Sequence, residues 1–263
     1  MSISAKDVQA LRQATGAGMM DAKRALEETG GDFDAAAKSL REKGLAKSVD
    51  RGDRENTQGA VAIGSNDNVA AIVELKCETD FVAKSDGFLA VLDQLLAGVV
   101  TDGEGAIDAL KDVVDDLKVT LKENIDVGRV VRVDVAPGQA VDTYLHKQDG
   151  RGVNAVIVVL QGADAELAHE IAVHAAFTKP RFLTRDQVPA DEAAEERATL
   201  EGITRAEGKP EQAIEKIVEG RLNAWYKDHV LLEQPFVRDD KQTVTQLLGD
   251  ASIVHFAQAY IGS

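Results

Sequence analysis

The spacing of apolar residues changes several times along this chain, and each change marks the end of one element and the start of another. Val69-Ala70-Ala71-Ile72-Val73-Glu74-Leu75 is an almost continuous apolar, β-branched run and predicts a strand. Residues 59–63 form a second such run, and the polar Ser65-Asn66-Asp67-Asn68 between them predicts a hairpin. Behind the hairpin, Phe88, Val91, Leu92, Leu95, Leu96 and Val99 recur at helical spacing and predict a helix over 85–99. Cys77-Glu78-Thr79-Asp80-Phe81-Val82 is therefore a strand-to-helix connection, a place where a rigid scaffold presents side chains.

Ahead of the hairpin the pattern is helical. Ser4 reads as an N-cap with Asp7 in the capping-box position, and Val8 and Leu11 give a short apolar face before the Thr15-Gly16-Ala17-Gly18 break. A second helix is predicted from about Met19 to Glu28 and ends at Gly30-Gly31. Asp32 then caps a third, with Phe33, Ala36, Ala37 and Leu40 inward. These make a three-helix bundle over residues 1–42. Residues 43–56 are polar, contain glycine and lack apolar periodicity, so they read as a linker.

Beyond residue 99, Ile107, Leu110, Val114, Leu117 and Leu121 predict one helical segment, and residues 129–135 alternate as a strand with Val131, Val133 and Val135 on one face. Pro137-Gly138 closes a first α+β subdomain, residues 57–139. The order then repeats: residues 141–146, a turn through Gln148-Asp149-Gly150-Arg151-Gly152, residues 153–160, and a helix with Leu167, Ile171 and Ala175 inward. Residues 191–228 predict a helical hairpin turning at Gly208-Lys209-Pro210, with Ile214, Ile217, Val218, Leu222 and Trp225 on one stripe. Val244, Leu247 and Leu248 give a short helix, and residues 253–261 a last strand. The expected class is α+β: the bundle, then two related subdomains with antiparallel sheets, the second over 140–263 and carrying the inserted hairpin.

Charge narrows the function. The formal net charge is −15, and residues 1–54 hold ten Lys/Arg against nine Asp/Glu, so the remainder is strongly acidic. Broad contact with nucleic acid, which calls for Lys/Arg surfaces, is not expected. No apolar run approaches the roughly 20 residues that span a bilayer, and Met1-Ser2-Ile3-Ser4-Ala5-Lys6-Asp7 has no signal-peptide core, so a cytoplasmic protein without membrane contact is expected. The single cysteine, Cys77, allows no intramolecular disulfide and reads as a small buried hydrophobe.

Chemistry is hard to find. Gly16 and Gly18 fall between helices rather than after a strand, so they are no nucleotide fingerprint. His169 and His174 are five apart, without metal-ligand spacing, and no nucleophile elbow is present. The reading is a protein that binds and makes no bonds, with no cofactor and no metal. Two places offer contact surfaces. At Asp80-Phe81 the ring either packs into its own core or points outward as an anchor, and spacing alone does not choose. Met19 and Met20 follow a glycine-containing loop, and either both face outward or one is core. Lys23, one turn from Met19, shares whichever face is exposed.

Glu-Thr-Asp-Phe-Val-Ala-Lys at 78–84 and Thr-Gly-Ala-Gly-Met-Met-Asp-Ala-Lys-Arg-Ala-Leu at 15–26 closely resemble the two signature segments of bacterial elongation factor Ts. Gln234-Pro235-Phe236-Val237 matches a further family segment, so the resemblance covers nearly the whole chain. It implies a nucleotide-exchange factor that binds elongation factor Tu, both GDP-bound and nucleotide-free, and promotes GDP release so that GTP rebinds. Thr79, Asp80, Phe81 and Val82 are implied to displace Mg²⁺ from the partner, and Met19, Met20, Lys23, Leu121, His146 and Val237 to touch it. The bundle is implied to be of the ubiquitin-associated type. The helical hairpin corresponds to a coiled-coil insertion that serves partner contact or pairs two complexes. Two departures stand out: Leu121-Lys122-Glu123-Asn124 lacks the glycine that relatives commonly place before Glu-Asn, and a C-terminal helix common in the family is expected to be missing after Gly262-Ser263. The alternative is a non-exchanging interaction scaffold that binds through the helical bundle.

Overall fold

The computed structural model describes residues 3–49, 51–66 and 68–262. Met1, Ser2, Asp50, Asp67 and Ser263, which carry parts of the leader, linker, turn and terminal readings, lie outside the described residues. Contacts group the chain into two units. One holds the chain up to Asp134 together with Leu145–Ala155 and the segment from Ala259; the other holds Val135–Tyr144 and Val156–Gln258.

The first unit opens with α1 (Ala5–Thr15), α2 (Met19–Glu28) and α3 (Phe33–Val49). The Ser4 hydroxyl accepts from the Asp7 amide, while the Asp7 carboxylate accepts the Ser4 amide at 3.0 Å, a reciprocal cap that satisfies two otherwise orphaned donors. Gly16, with φ at 66°, ends α1 in the left-handed region that glycine reaches without steric cost. Val8, Leu11, Ala22, Leu26, Ala36 and Leu40 form the bundle core.

Next come β1 (Gln58–Ser65), β2 (Val69–Cys77), α4 (Asp80–Ala83), α5 (Asp86–Asp102), α6 (Ala106–Ala109), α7 (Lys111–Leu121) and β3 (Asp126–Asp134). The sheet is antiparallel in the order β1-β2-β3, with Ala62 opposite Val73 and Ile72 opposite Val131. Ala71, Val73, Leu75 and Cys77 of β2 face Phe88, Leu92, Leu95 and Val99 of α5 and Val114 and Leu117 of α7. Each of these large side chains contributes roughly 1.5–3 kcal/mol by leaving water. Ala70 and Ile72 on the opposite side of β2 are also buried, which is why the run reads as continuous rather than alternating.

The remaining elements are β4 (Gln139–Gln148), β5 (Arg151–Gln161), α8 (Ala165–Thr178), α9 (Ala190–Ala206), α10 (Glu211–His229), β6 (Pro235–Phe236), β7 (Asp239–Thr243), α11 (Val244–Leu248) and β8 (Ser252–Tyr260). A second sheet runs β4-β5-β8, and β6 pairs with β7. The core of the second unit joins Val156, Val158 and Leu160 to Ile171 and Ala175 of α8, Leu231, and Val244 of α11. α9 and α10 are the expected helical hairpin, with Ile214, Val218 and Leu222 buried and the pairs Arg197–Glu219 and Arg221–Glu207 laced across it at 2.6 and 2.7 Å. The class is α+β, as expected from the pattern.

Several local expectations change. Residues 43–49 are helical, because α3 continues through Gly44. A Cβ there would lie 2.5 Å from a Val119 methyl, so this glycine lets α3 and α7 approach rather than breaking the helix. Phe33 is 38 % exposed instead of inward, being the first residue of α3. The segment around 107–121 is two helices, α6 and α7, meeting at Leu110. β3 begins at Asp126, three residues before the alternation becomes visible. The turn at 148–152 contracts to Asp149-Gly150, both with positive φ of 52° and 83°, and Arg151 and Gly152 open β5. The β6–β7 pair has no forerunner in the apolar pattern, since β7 is the polar run Asp-Asp-Lys-Gln-Thr.

Lys122 caps α7 in the left-handed region, with φ at 61° and its amide on the Lys118 carbonyl at 3.1 Å. A non-glycine residue there costs about 1–2 kcal/mol, partly offset by its smaller loss of backbone entropy. Lys122→Gly is therefore expected to raise stability by about 0.5–1 kcal/mol, read as a higher urea midpoint at unchanged slope. A lower midpoint would show that the cap is not strained.

Candidate functional site

β2 runs into a buried cysteine and stops. The Cys77 thiol donates to the Thr79 carbonyl at 3.2 Å, and burial, then the nearby Glu123 carboxylate, pushes its pKa up to about 12. The group is an inert packing element, as its place at a strand end suggests. Thr79 then takes the N-cap of α4: its Oγ1 accepts the Val82 amide at 3.3 Å.

The turn is held from outside by a second segment. Glu123 Oε2 accepts the amides of Glu78 and Thr79 at 3.0 and 3.1 Å, while its Oε1 accepts the Thr79 hydroxyl at 2.6 Å. In return, Glu78 Oε1 accepts the Asn124 amide at 2.7 Å. Asn124, itself buried, donates through Nδ2 to the carbonyls of Gly52 and Arg54 at 3.1 and 2.7 Å. Ionised acceptors make these bonds stronger than neutral ones. Glu78, Glu123 and Asn124 were not among the residues expected to matter, and the only sequence signal for two of them is the Glu-Asn pair after Lys122.

On this base, α4 splits its side chains. Ala83 is buried and Val82 packs on the first core, whereas Phe81 is 83 % exposed. The spacing left both orientations open; the ring points outward. Asp80 reaches Lys84 at 2.7 Å, and Lys84 also lies 3.4 Å from Asp149 at the tip of the β4–β5 hairpin. The hydrogen bond from Lys84, with the field of Lys84 and Arg151, holds the Asp80 carboxyl below the usual range. Arg151 is buried in β5, donating to the Gly59 carbonyl at 2.6 Å and to Gln58 Oε1 at 3.2 Å. A Cβ at Gly152 would lie 2.2 Å from the Val61 carbonyl oxygen, so β5 passes close over β1 only with glycine there.

The other expected residues separate into groups. Met19 and Met20 are 47 % and 68 % exposed on the first turn of α2, and Lys23, one turn on, pairs with Glu27 at 3.6 Å. Both methionines face outward. Leu121 packs against the first core beside the segment that holds the turn. His146 is exposed on β4, three residues before the hairpin tip that Lys84 reaches. Val237 is exposed in the second unit. Among the described residues no helix is long and apolar enough to cross a membrane, and no cluster of three or more His, Cys, Asp and Glu is placed to hold a metal ion.

The site is an exposed aromatic on a fixed turn of an α+β protein, with a carboxylate beside it. The comparisons give the family. Residues 78–263 match the family described as Elongation factor TS. Elongation factor Ts of Kineococcus radiotolerans is 42 % identical over 262 residues, covering 95 % of this chain and 94 % of that protein. Those of Micrococcus luteus and Saccharopolyspora erythraea are 42 % and 45 % identical, covering 99 % and 98 % of this chain and the same shares of their own lengths. The chain belongs to the elongation factor Ts family of translation elongation factors.

Val237 depends on a buried histidine. Its amide donates to His174 Nδ1 at 3.3 Å; His174 Nε2 bonds Gln234 Oε1 at 2.9 Å, and Gln234 also accepts the Thr178 hydroxyl at 2.8 Å. With Nδ1 accepting, the imidazole is neutral, and burial lowers its pKa from the ordinary value. As pH falls below about 6.5, the unfolded chain takes up a proton here that the folded chain refuses. The stabilisation is complete above that pH and is lost as pH falls, with a limiting slope of about 1.4 kcal/mol per unit for one proton. Urea midpoints at pH 7.5 and 5.5 are expected to differ more in the wild type than in His174→Gln. Equal differences would mean that His174 is not the group responsible.

Proposed function

We propose that the protein is a guanine-nucleotide exchange factor that binds GDP-bound elongation factor Tu, displaces the Mg²⁺ bridging the phosphates and promotes GDP release so that GTP rebinds. The observation that carries this reading is Phe81, 83 % exposed on a turn whose backbone is held by Glu123. A free chain gains nothing from such a ring in water, whereas a partner pocket recovers roughly 1.5–3 kcal/mol by burying it. In this reading Thr79 and Val82 hold the turn, Phe81 is the wedge, and Asp80 brings a carboxylate to the edge of the nucleotide site.

Magnitudes show that the wedge needs help. A GTPase holding GDP at nanomolar affinity has about 12 kcal/mol of binding free energy, and each tenfold gain in release requires about 1.4 kcal/mol of destabilisation. One buried ring accounts for one or two powers of ten. The remainder comes from docking that is strongest when the nucleotide site is distorted, through Met19, Met20, Lys23, Leu121, His146 and Val237. Linkage is reciprocal, so nucleotide rebinding weakens the complex and frees the factor for another cycle. No covalent step is involved.

A second reading, a non-exchanging scaffold that binds through the bundle of residues 1–42, is favoured by the exposure of Met19 and Met20. One experiment separates the two: release of fluorescent GDP from elongation factor Tu with wild type and Phe81→Ala, each at saturation. Exchange through the wedge predicts strong stimulation by the wild type and a saturating rate at least tenfold lower in the variant, about 1.4 kcal/mol. Equal stimulation by both would move the mechanism to docking strain. No stimulation by the wild type would leave the scaffold.

A further inference from the structure

Within the first unit, a recess of about 580 Å³ opens between the α1–α2 loop, α3 and α7. Leu40, Ala46 and Val119 give it an apolar wall. Its two acidic residues are Asp21 and Glu28, and Glu28 is neutralised by Lys43 at 2.7 Å. Arg24, Lys47 and Lys122 also line it, and their side chains have no partner among the described residues. Arg51 adds a fifth cation: one terminal nitrogen donates to the Lys118 carbonyl at 3.2 Å, while its Nε is a buried donor without an acceptor among the described residues.

Such a concentration of positive charge is unusual in a chain whose formal charge is −15. It is confined to a concavity rather than spread as a stripe, which separates it from a nucleic-acid surface. The combination of Arg and Lys fits phosphate oxygens, the guanidinium by paired donors and the ammonium as a point charge. The volume lies within the roughly 300–1,000 Å³ that small-molecule sites occupy.

We propose that this recess binds a small molecule carrying two or more phosphate groups, of the size of a nucleoside di- or triphosphate. Arg24, Lys47, Arg51 and Lys122 hold the phosphates, and Leu40 and Val119 face the less polar part. A ligand bridging α2 and α3 to α7 joins the bundle to the helix that packs on the first sheet, directly behind the turn that bears Met19 and Met20. The site does not depend on exchange activity.

The test is an NMR titration of the full ¹⁵N-labelled chain with tripolyphosphate and, separately, with GDP and ATP. Saturable shifts are expected in residues 15–24, 40–49 and 117–124, with a dissociation constant below about 1 mM at physiological salt. Lys47→Glu should weaken binding at least tenfold, and Lys216→Glu on α10 should leave it unchanged. Lys122→Gly, expected to fold at least as well as wild type, should weaken it severalfold and guards against reading an unfolded variant as a lost site. Absence of saturation, shifts scattered over other lysines, or full affinity in Lys122→Gly and Lys47→Glu would overturn the assignment. So would tighter binding of a single-stranded RNA of matched charge, which would make the recess part of a nucleic-acid surface.

Discussion

The presentation of Phe81 rests on the reciprocal clamp between the end of β2 and the residues after α7. α4 is a single turn of four residues, far too short to persist on its own, because nucleating a helix fixes several dihedrals for one hydrogen bond. The Glu123 carboxylate takes up the two amides that the turn leaves unpaired and the hydroxyl that caps it, and Glu78 returns a bond to Asn124. Ala83 and Val82 root the other side of the turn in the core. An anchor ordered before it meets its partner has less entropy to lose on docking, so more of its burial free energy reaches the interface.

Charge is arranged around this turn as a chain of pairs rather than as a single bond. Asp80, Lys84 and Asp149 link α4 to the β4–β5 hairpin, and Arg151 is inserted behind them. These pairs are largely exposed and contribute little to stability. Their consequence is positional: Asp80 stays ionised and loosely held by a lysine that has a second carboxylate to fall back on.

Much of the fold was legible in the sequence, for a definite reason. β2, α5 and α10 have apolar runs or stripes, and the capping box at Ser4 and Asp7 depends on four adjacent residues. What failed depends on residues far apart in sequence. Gly44 looks like a helix breaker until Val119 is found against it, and Gly152 looks like a turn residue until Val61 is found beneath it. The orientation of Phe81 was undecidable by spacing, because a four-residue turn shows no period. The clamp was invisible because Glu78 and Glu123 lie 45 residues apart and look like ordinary surface charges. The family resemblance singled out the turn; the coordinates show what holds it.

If the clamp works by fixing the ring, Glu123 and Phe81 act as one unit, and a double-mutant cycle on the saturating rate of GDP release from elongation factor Tu measures their coupling. Glu123→Ala and Phe81→Ala should each slow release, and the double variant should be little slower than Phe81→Ala alone. Losses that multiply in the double variant would show that the two residues act independently, and that a held turn is not the source of exchange.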